Sequence, residues 1–310
     1  LKILVTGGAG YIGSVLVPLL LTEGYQVIVL DNFLYQQTSL LDCCFDKKLT
    51  ILRGDVRDAR LLSELVPKVD AVLPLACLTG APICMRDPET AKAVNRDAVK
   101  TLLDLMSPRQ LMVFPSTNSG YGVGQQDIYC DEDTPLRPLS WYGRLKVEIE
   151  SVLLERGNCV TFRFATLFGV SPRMRLDLLV NDFTYRAVVD RFIVLFEPHF
   201  KRNYLHVRDA ARAFMHALAN YEQMKGCPYN VGLSEANLSK WELCEVIQKY
   251  VPDFCFMTAE VGKDPDQRNY IVSNQRIEAT GFKPSVSLNE GIEELIKGYQ
   301  IIRRNQYSNV

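Results

Sequence analysis

The chain has little of what holds metals, disulfide frameworks, membranes or nucleic acid. Only three of its 310 residues are histidine, and its nine cysteines include no Cys-x-x-Cys pair. Neither a zinc site nor, with an odd count, a disulfide framework is expected. Cys43, Cys44, Cys77, Cys84, Cys130, Cys159, Cys227, Cys244 and Cys255 read instead as the reduced thiols of a cytoplasmic protein. No apolar run reaches the roughly 18 residues of a membrane-spanning helix. The opening residues already read as a strand, so no signal peptide is expected before them. Neither sign of charge dominates: 35 Lys and Arg face 36 Asp and Glu, for a net charge of −1. Without a basic block, nothing electrostatic points to nucleic acid or an anionic membrane as a partner. Repeats, low-complexity tracts and flexible linkers are also missing. The remainder is an ordinary globular composition, 47% hydrophobic, in a length that buries one large core or two joined ones.

The first half alternates near-continuous apolar runs with helical patterns. The runs cover residues 3–6, 27–31, 49–53, 71–75, 111–115 and 160–164, as expected of strands buried on both faces of a parallel sheet. Helical stretches at 12–22, 58–66, 89–106 and 141–155 separate them. This pattern predicts an α/β fold, a doubly wound parallel sheet with right-handed crossovers, over residues 1–168. Regular alternation stops after Gly169. A loop with proline and arginine leads into an amphipathic segment at 176–189, followed by helical patterns at 242–250 and 288–302. Residues 169–310 therefore read as a smaller α+β substrate-binding lobe over the carboxyl ends of the strands, where open α/β sheets bind ligands.

Gly7, Gly10 and Gly13, with Tyr11 and Ile12 between them, form a Gly-x-x-Gly-x-x-Gly turn from the first strand into its helix. Such a turn is tight, lets a diphosphate approach the backbone, and offers it the free N–H groups of the helix end. Asp31 closes the second strand 18 residues past Gly13. A carboxylate there accepts from the adenine ribose hydroxyls and repels a 2′-phosphate. The following Asn32 and Phe33 bring no cation for such a phosphate, so the expected cofactor is NAD and not NADP. Asp55 and Val56, after the third strand, are candidates for contact with the adenine, and a helix-capping or turn role for Asp55 has equal weight. Leu75 and Ala76, at the end of the fourth run, complete the expected cofactor set.

Tyr142 and Lys146 are four residues apart at the start of a predicted helix and share one face. A free phenol, with a pKa of about 10, is a poor base near neutrality. A neighbouring ammonium and the positive nicotinamide ring are expected to lower that value. Tyr142 would then take a hydroxyl proton as hydride leaves the same carbon. Such a pair alone is common. Its context is Ser116-Thr117-Asn118-Ser119-Gly120-Tyr121-Gly122, leaving the fifth strand at the same sheet edge.

With these motifs the chain resembles the extended short-chain dehydrogenase/reductases that act on nucleotide sugars, over nearly its whole length. Their shared pattern is Thr-Gly-Gly-x-Gly-x-x-Gly, a Ser or Thr four residues before Tyr-Gly, then Tyr-x-x-x-Lys. The resemblance implies a Rossmann domain binding NAD. It makes Tyr142 the base, Lys146 its partner and a ribose ligand, and Thr117 the hydroxyl that bonds the reacting sugar oxygen. Asn95 matches the family's Asn in the helix before the fifth strand. Asn181 matches a residue that bonds the substrate diphosphate, and Arg202 and Arg268 match arginines that hold its phosphates. Thr79, Asn118 and Ser119 belong to the expected substrate site. Arg173 and Arg175 are further candidates, with a solvated loop as the weightier alternative. Asn203 replaces the acid usual after that first arginine, and His206 looks structural.

Three outcomes share an opening oxidation at C4: epimerisation, 4,6-dehydration, or release of a 4-keto sugar. Dehydratases of the family carry an acid two residues before Tyr-Gly, where this chain has Ser119, so dehydration is not expected. The stretches 78–82, 118–122, 159–169 and 171–183 are similar to the GDP-heptose 4-dehydrogenase branch of bacterial capsule and O-antigen pathways. That similarity implies oxidation of GDP-D-glycero-D-manno-heptose to its 4-keto form, with an NDP-sugar 4-epimerase as the alternative. A non-catalytic NAD-binding scaffold is the reading from another class, against which stand Thr117, Tyr142 and Lys146. The resemblance also implies a homodimer through helices 89–106 and 141–155. Retained NADH would require a second substrate, such as a keto acid, to reoxidise it.

Overall fold

The structure is a computed structural model and describes residues 1–125, 128–259 and 268–302. Seven strands form the central sheet: β1 (Lys2–Thr6), β2 (Gln26–Asp31), β3 (Leu49–Arg53), β4 (Ala71–Pro74), β5 (Leu111–Thr117), β6 (Cys159–Phe164) and β7 (Pro228–Val231). All pair in parallel, in the order β7-β6-β5-β4-β1-β2-β3. The order reverses beside β1, which creates the crevice where such sheets bind dinucleotides.

The strands are largely apolar because their alternate side chains enter different cores. Ile3, Val5, Val27, Val29 and Leu73 pack with Leu16 and Leu20 of the helix Gly13–Thr22. Leu4, Ile28, Leu30, Val72, Met112 and Phe114 point the other way, toward Leu62, Leu102, Ile149 and Leu153. Those last four belong to the helices Ala59–Leu65, Ala98–Leu105 and Trp141–Arg156. Each fully buried side chain of this kind stabilises the fold by about 1.5–3 kcal/mol.

The chain crosses the division expected at residue 168. The helix Val207–Ala219 packs Ala210, Ala211, Phe214 and Ala217 into the same core as Leu16 and Leu20, and β7 extends the sheet beyond β6. A four-residue strand after a run of irregular elements carries too short a pattern to be read as a return to the sheet. A second core forms around Phe168, Val180, Phe183, Tyr204, Leu243, Phe254, Ile292 and Leu295. It lies within residues 166–302, where the helices Leu179–Val189, Lys240–Gln248 and Leu288–Gly298 supply most of it.

The helix expected over 89–106 is divided. Pro88–Lys92 and Ala98–Leu105 flank a π-helical turn, Ala93–Asp97. Within that turn Asn95 is buried, accepts from Leu78 N and donates to Leu78 O, both at 2.8 Å. This side chain therefore pins the segment that leaves β4 at the carboxyl edge, a setting in which π turns recur.

Candidate active site

The carboxyl edge of the sheet opens into one cleft. Gly7, Gly10, Tyr11, Ile12 and Gly13 line it from the first turn, Leu75 and Thr79 from the segment after β4, and Thr117 and Ser119 from the end of β5. Tyr142, Lys146, Arg173, Arg175 and Arg268 complete the expected residues found there. Gly7 has a φ of 70°, and a Cβ on it would lie 2.5 Å from Ala76 N. The turn therefore tolerates only glycine, both for its backbone angle and for the approach of β4. A Cβ on Gly13 would sit 2.4 Å from Gly8 O, so the helix can start only where it does without one.

Asp31 is buried at the end of β2, where Oδ2 accepts from Ala9 N at 3.0 Å and Oδ1 from Phe33 N at 2.8 Å. Burial pushes its carboxyl above the ordinary range, against the pull of those hydrogen bonds. The acid thus braces the glycine turn from outside the cleft's lining. Asn32 Oδ1 accepts from Leu34 N at 3.0 Å. Asp55 is paired with Arg57 at 2.7 Å and accepts from Arg57 N at 2.8 Å, contacts that hold its carboxyl low. Of its two expected roles, the turn-forming one matches this geometry. Val56 is part of the core around Leu62, and Ala76 reaches the site through its backbone beside Gly7.

Tyr142 and Lys146 occupy the first turns of the helix Trp141–Arg156, which Ser140 caps by accepting from Gly143 N at 3.1 Å. Lys146 Nζ donates to Pro115 O at 2.7 Å and lies 4.5 Å from the centre of the Phe114 ring. The expected lowering of the Tyr142 pKa by Lys146 is not what the chain alone produces. Burial drives the phenol up, Cys77 and Cys84 add to this, and Arg175 and Arg268 oppose it. The reason is that the ammonium is committed to a backbone carbonyl while the phenol is stripped of water. The cleft as formed by protein atoms favours the neutral phenol.

Thr117, Ser119 and Arg268 form a chain of contacts. Ser119 N donates to Thr117 Oγ1 at 3.1 Å, the two hydroxyl oxygens are 2.8 Å apart, and Arg268 Nη1 donates to Ser119 Oγ. Asn118 is buried but does not line the cleft, and its carboxamide makes no hydrogen bond among the described residues. Asn181 is also buried away from the lining. Its Oδ1 accepts from Gly169 N at 2.9 Å and its Nδ2 donates to Arg175 O at 2.8 Å, so it braces the loop that carries the arginines. Arg202 is buried and donates to Arg268 O, supporting that residue's backbone. Asp266 and Gln267, which precede Arg268 in the sequence, lie outside the described residues.

The arginines of the 169–175 loop are not solvated, contrary to the weightier expectation. Arg173 is 4% exposed, and the Arg175 side chain is paired with Asp177 at 2.5 Å. Their loop is folded inward by bonds to the glycine turn, which no local pattern announces. His206 is fully buried, with Nδ1 accepting from Arg208 N at 3.2 Å to cap the helix Val207–Ala219. Sequence reading missed Tyr35, Cys77, Ser116 and Tyr270, all of which line the cleft. Ser116 and Cys77 adjoin residues already singled out, so proximity to Thr117 and Ala76 was the available signal. Burial raises the Cys77 thiol pKa, opposed by Lys146. For a dinucleotide, the residues present fit: a turn that admits no side chain at Gly7, an acid behind it at Asp31, and a half-buried phenol with a buried ammonium at the far wall.

Across 97% of its length the chain is 27% identical to UDP-glucuronic acid decarboxylase 1 of Arabidopsis thaliana, covering 70% of that protein. It is 26% identical to CDP-paratose 2-epimerase of Salmonella typhi, over 95% of this chain and 98% of that one. The fold superposes on UDP-glucose 4-epimerase of Thermus thermophilus, solved in complex with NAD, with a TM-score of 0.84 at 25% identity and coverage of 97% and 99%. The sequence model of the NAD dependent epimerase/dehydratase family matches residues 3–232, a span that holds the glycine turn, Asp31, Thr117, Tyr142 and Lys146. The chain belongs to the NAD dependent epimerase/dehydratase family, and NAD is its cofactor.

Proposed function

We propose that the protein oxidises C4 of a nucleotide-linked sugar, converting GDP-D-glycero-D-manno-heptose to its 4-keto form. The carrying observation is the make-up of the cleft. A half-buried phenol, an ammonium and a threonine hydroxyl line it together, while no Asp or Glu does so among the described residues. Alcohol oxidation needs one base and one oriented oxygen. Elimination of water needs a further acid or base, which Asn118 and Ser119 cannot supply.

In this reading Tyr142 takes the proton of the sugar hydroxyl and Thr117 Oγ1 bonds its oxygen. Bound NAD would supply the hydride acceptor, and its positive nicotinamide ring would favour the phenolate that burial disfavours. Lys146, held by Pro115 O, keeps a positive charge at the wall behind them. Arg268 reaches the substrate side through Ser119, and Arg202 secures it from behind. The GDP-heptose assignment rests on sequence resemblance alone, that of residues 78–82, 118–122, 159–169 and 171–183. A 4-epimerase is the second reading, favoured by the likeness to the Thermus enzyme. A homodimer through the segments 89–106 and 141–155, and a keto acid that reoxidises NADH, belong to the same proposal.

Mass spectrometry of the products decides between these. The protein is incubated with GDP- and UDP-linked hexoses and heptoses, NAD⁺ and a keto acid. Loss of two hydrogens from GDP-heptose is the expected result. An unchanged mass with a new chromatographic peak establishes the epimerase instead, and loss of water overturns both.

A further inference from the structure

We propose that residues 171–175 form a strap over the diphosphate of the bound dinucleotide, with Arg173 as its cation and Tyr35 as the platform for that guanidinium. The proposal moves Arg173 from the sugar nucleotide to the cofactor. It rests on NAD as the cofactor and is independent of which sugar is oxidised.

Three sets of contacts carry it. First, the loop is fastened to the glycine turn by the turn's own residues. Ser171 Oγ donates to Tyr11 O and meets Ser14 Oγ, both at 2.8 Å, and Tyr11 Oη donates to Gly169 O at 2.7 Å. Arg173 N lies 3.4 Å from both serine hydroxyls. The start of Arg173 is thereby fixed within a residue or two of the helix end that offers N–H groups to phosphate.

Second, the segment after β2 folds back over the same turn. Ser39 Oγ donates to Ala9 O at 2.7 Å, and Asp31 accepts from Ala9 N and Phe33 N. This brings the Tyr35 ring beneath the Arg173 guanidinium, 4.4 Å from its centre. Tyr35 and Arg173 both line the cleft beside Gly10, Tyr11 and Ile12.

Third, the charges sort along the cleft. Arg173 lies against Tyr35, four residues past Asp31, whereas Arg268 donates to Ser119, two residues past Thr117. Arg173 therefore stands toward the Asp31 end, and Arg268 toward the end where Tyr142 and Thr117 would act. A diphosphate lies between the ribose held near Asp31 and the reacting ring near Tyr142. Its two negative charges suit a guanidinium that is already oriented before the ligand arrives, by the Tyr35 ring beneath it and by Met174 O, to which Nη1 donates.

The test follows release of prebound NADH from the holoenzyme, by its fluorescence after mixing with excess NAD⁺, in the absence of any sugar nucleotide. Arg173→Met is expected to speed release about 10- to 100-fold, as for loss of a charge-assisted contact. Tyr35→Ala and Arg173→Lys should speed it less, since each removes only the platform or only the fork. Affinity for GDP and UDP, measured by calorimetry, should change less than about twofold, well inside one charge-assisted contact. Unchanged NADH release in Arg173→Met overturns the strap, and weakened GDP or UDP binding alongside it returns Arg173 to the substrate. Should Arg173→Met fail to fold, unchanged release in both Tyr35→Ala and Arg173→Lys overturns the proposal equally. Failure of the sugar-product assay leaves these readings untouched, so the two proposals fall separately.

Discussion

Ser119 Oγ lies 2.8 Å from Thr117 Oγ1 while Arg268 donates to that same serine oxygen. With the serine oxygen accepting from a guanidinium, its own hydrogen is left to donate to Thr117. Thr117 already accepts from Ser119 N, so under the proposed function its hydroxyl hydrogen would be left for the reacting sugar oxygen. Each donor in this relay is polarised by the one before it. Thr117→Ser should keep most of the activity, and Thr117→Val should lower kcat about 100- to 1,000-fold, as for loss of one oriented donor. Ser119→Ala should give a smaller loss, chiefly in kcat. Steady-state kinetics on the identified sugar nucleotide check all three, and full activity in Ser119→Ala would sink the relay.

Tyr142→Phe should lower kcat about 100- to 10,000-fold, the range for loss of a general base, while NADH binding persists. The pH dependence follows from the charges around the phenol. Arg268 favours the phenolate, so removing that cation raises the phenol pKa further. In Arg268→Met the acid limb of kcat/KM should therefore move to higher pH. A limb that stays in place would show that Tyr142 is not the titrating base.

Asn203 stands where the sequence resemblance implies an acid, and its surroundings suit an amide. Its Nδ2 donates to Leu233 O at 2.6 Å and Ala236 O at 3.3 Å, inside a site that is 1% exposed. A carboxylate there would face two carbonyl oxygens without a proton to offer. Asn203→Asp should cost about 2 kcal/mol or more of stability at neutral pH. Urea denaturation measures it, and an unchanged midpoint would contradict the geometry.

Glu294 ties the helix Leu288–Gly298 to the segment after Lys201–His206, lying 3.3 Å from His206 Nε2 and 2.7 Å from Arg208 Nη1. Burial opposes its charge, but the His206 and Arg208 contacts outweigh that and hold the carboxyl below its ordinary value of 4.5. A folded-state pKa that is depressed stabilises the protein above the unfolded pKa and is lost as pH falls through the folded one. Glu294→Gln should therefore lose about 0.5–1 kcal/mol at pH 7. That difference should vanish on acidification below the ordinary carboxylate range. A difference that persists at low pH would point to packing as its cause.

The cofactor half of this protein is written locally. The apolar runs that became β1 to β6, the Gly7, Gly10 and Gly13 turn, and the helical step from Tyr142 to Lys146 each depend on neighbours a few residues away, so spacing alone reveals them. What residues at long range do to one another is not written that way. Lys146 and the positive nicotinamide ring together are expected to lower the Tyr142 pKa; in the protein alone the ammonium donates to Pro115 O and burial drives the phenol up, an effect that depends on how completely folding excludes water. Arg173 read as a solvated loop residue until Ser14, Ser171 and Tyr11 folded its loop inward. β7 and the helix Val207–Ala219 rejoined the first sheet because the core beside Leu16 and Leu20 needed covering, a demand that arises only once the sheet exists. The sequence by itself determined the family, the sheet and the cofactor; tertiary packing decided which polar side chains face the cleft, since burial and charge are sums over residues that are distant in the chain.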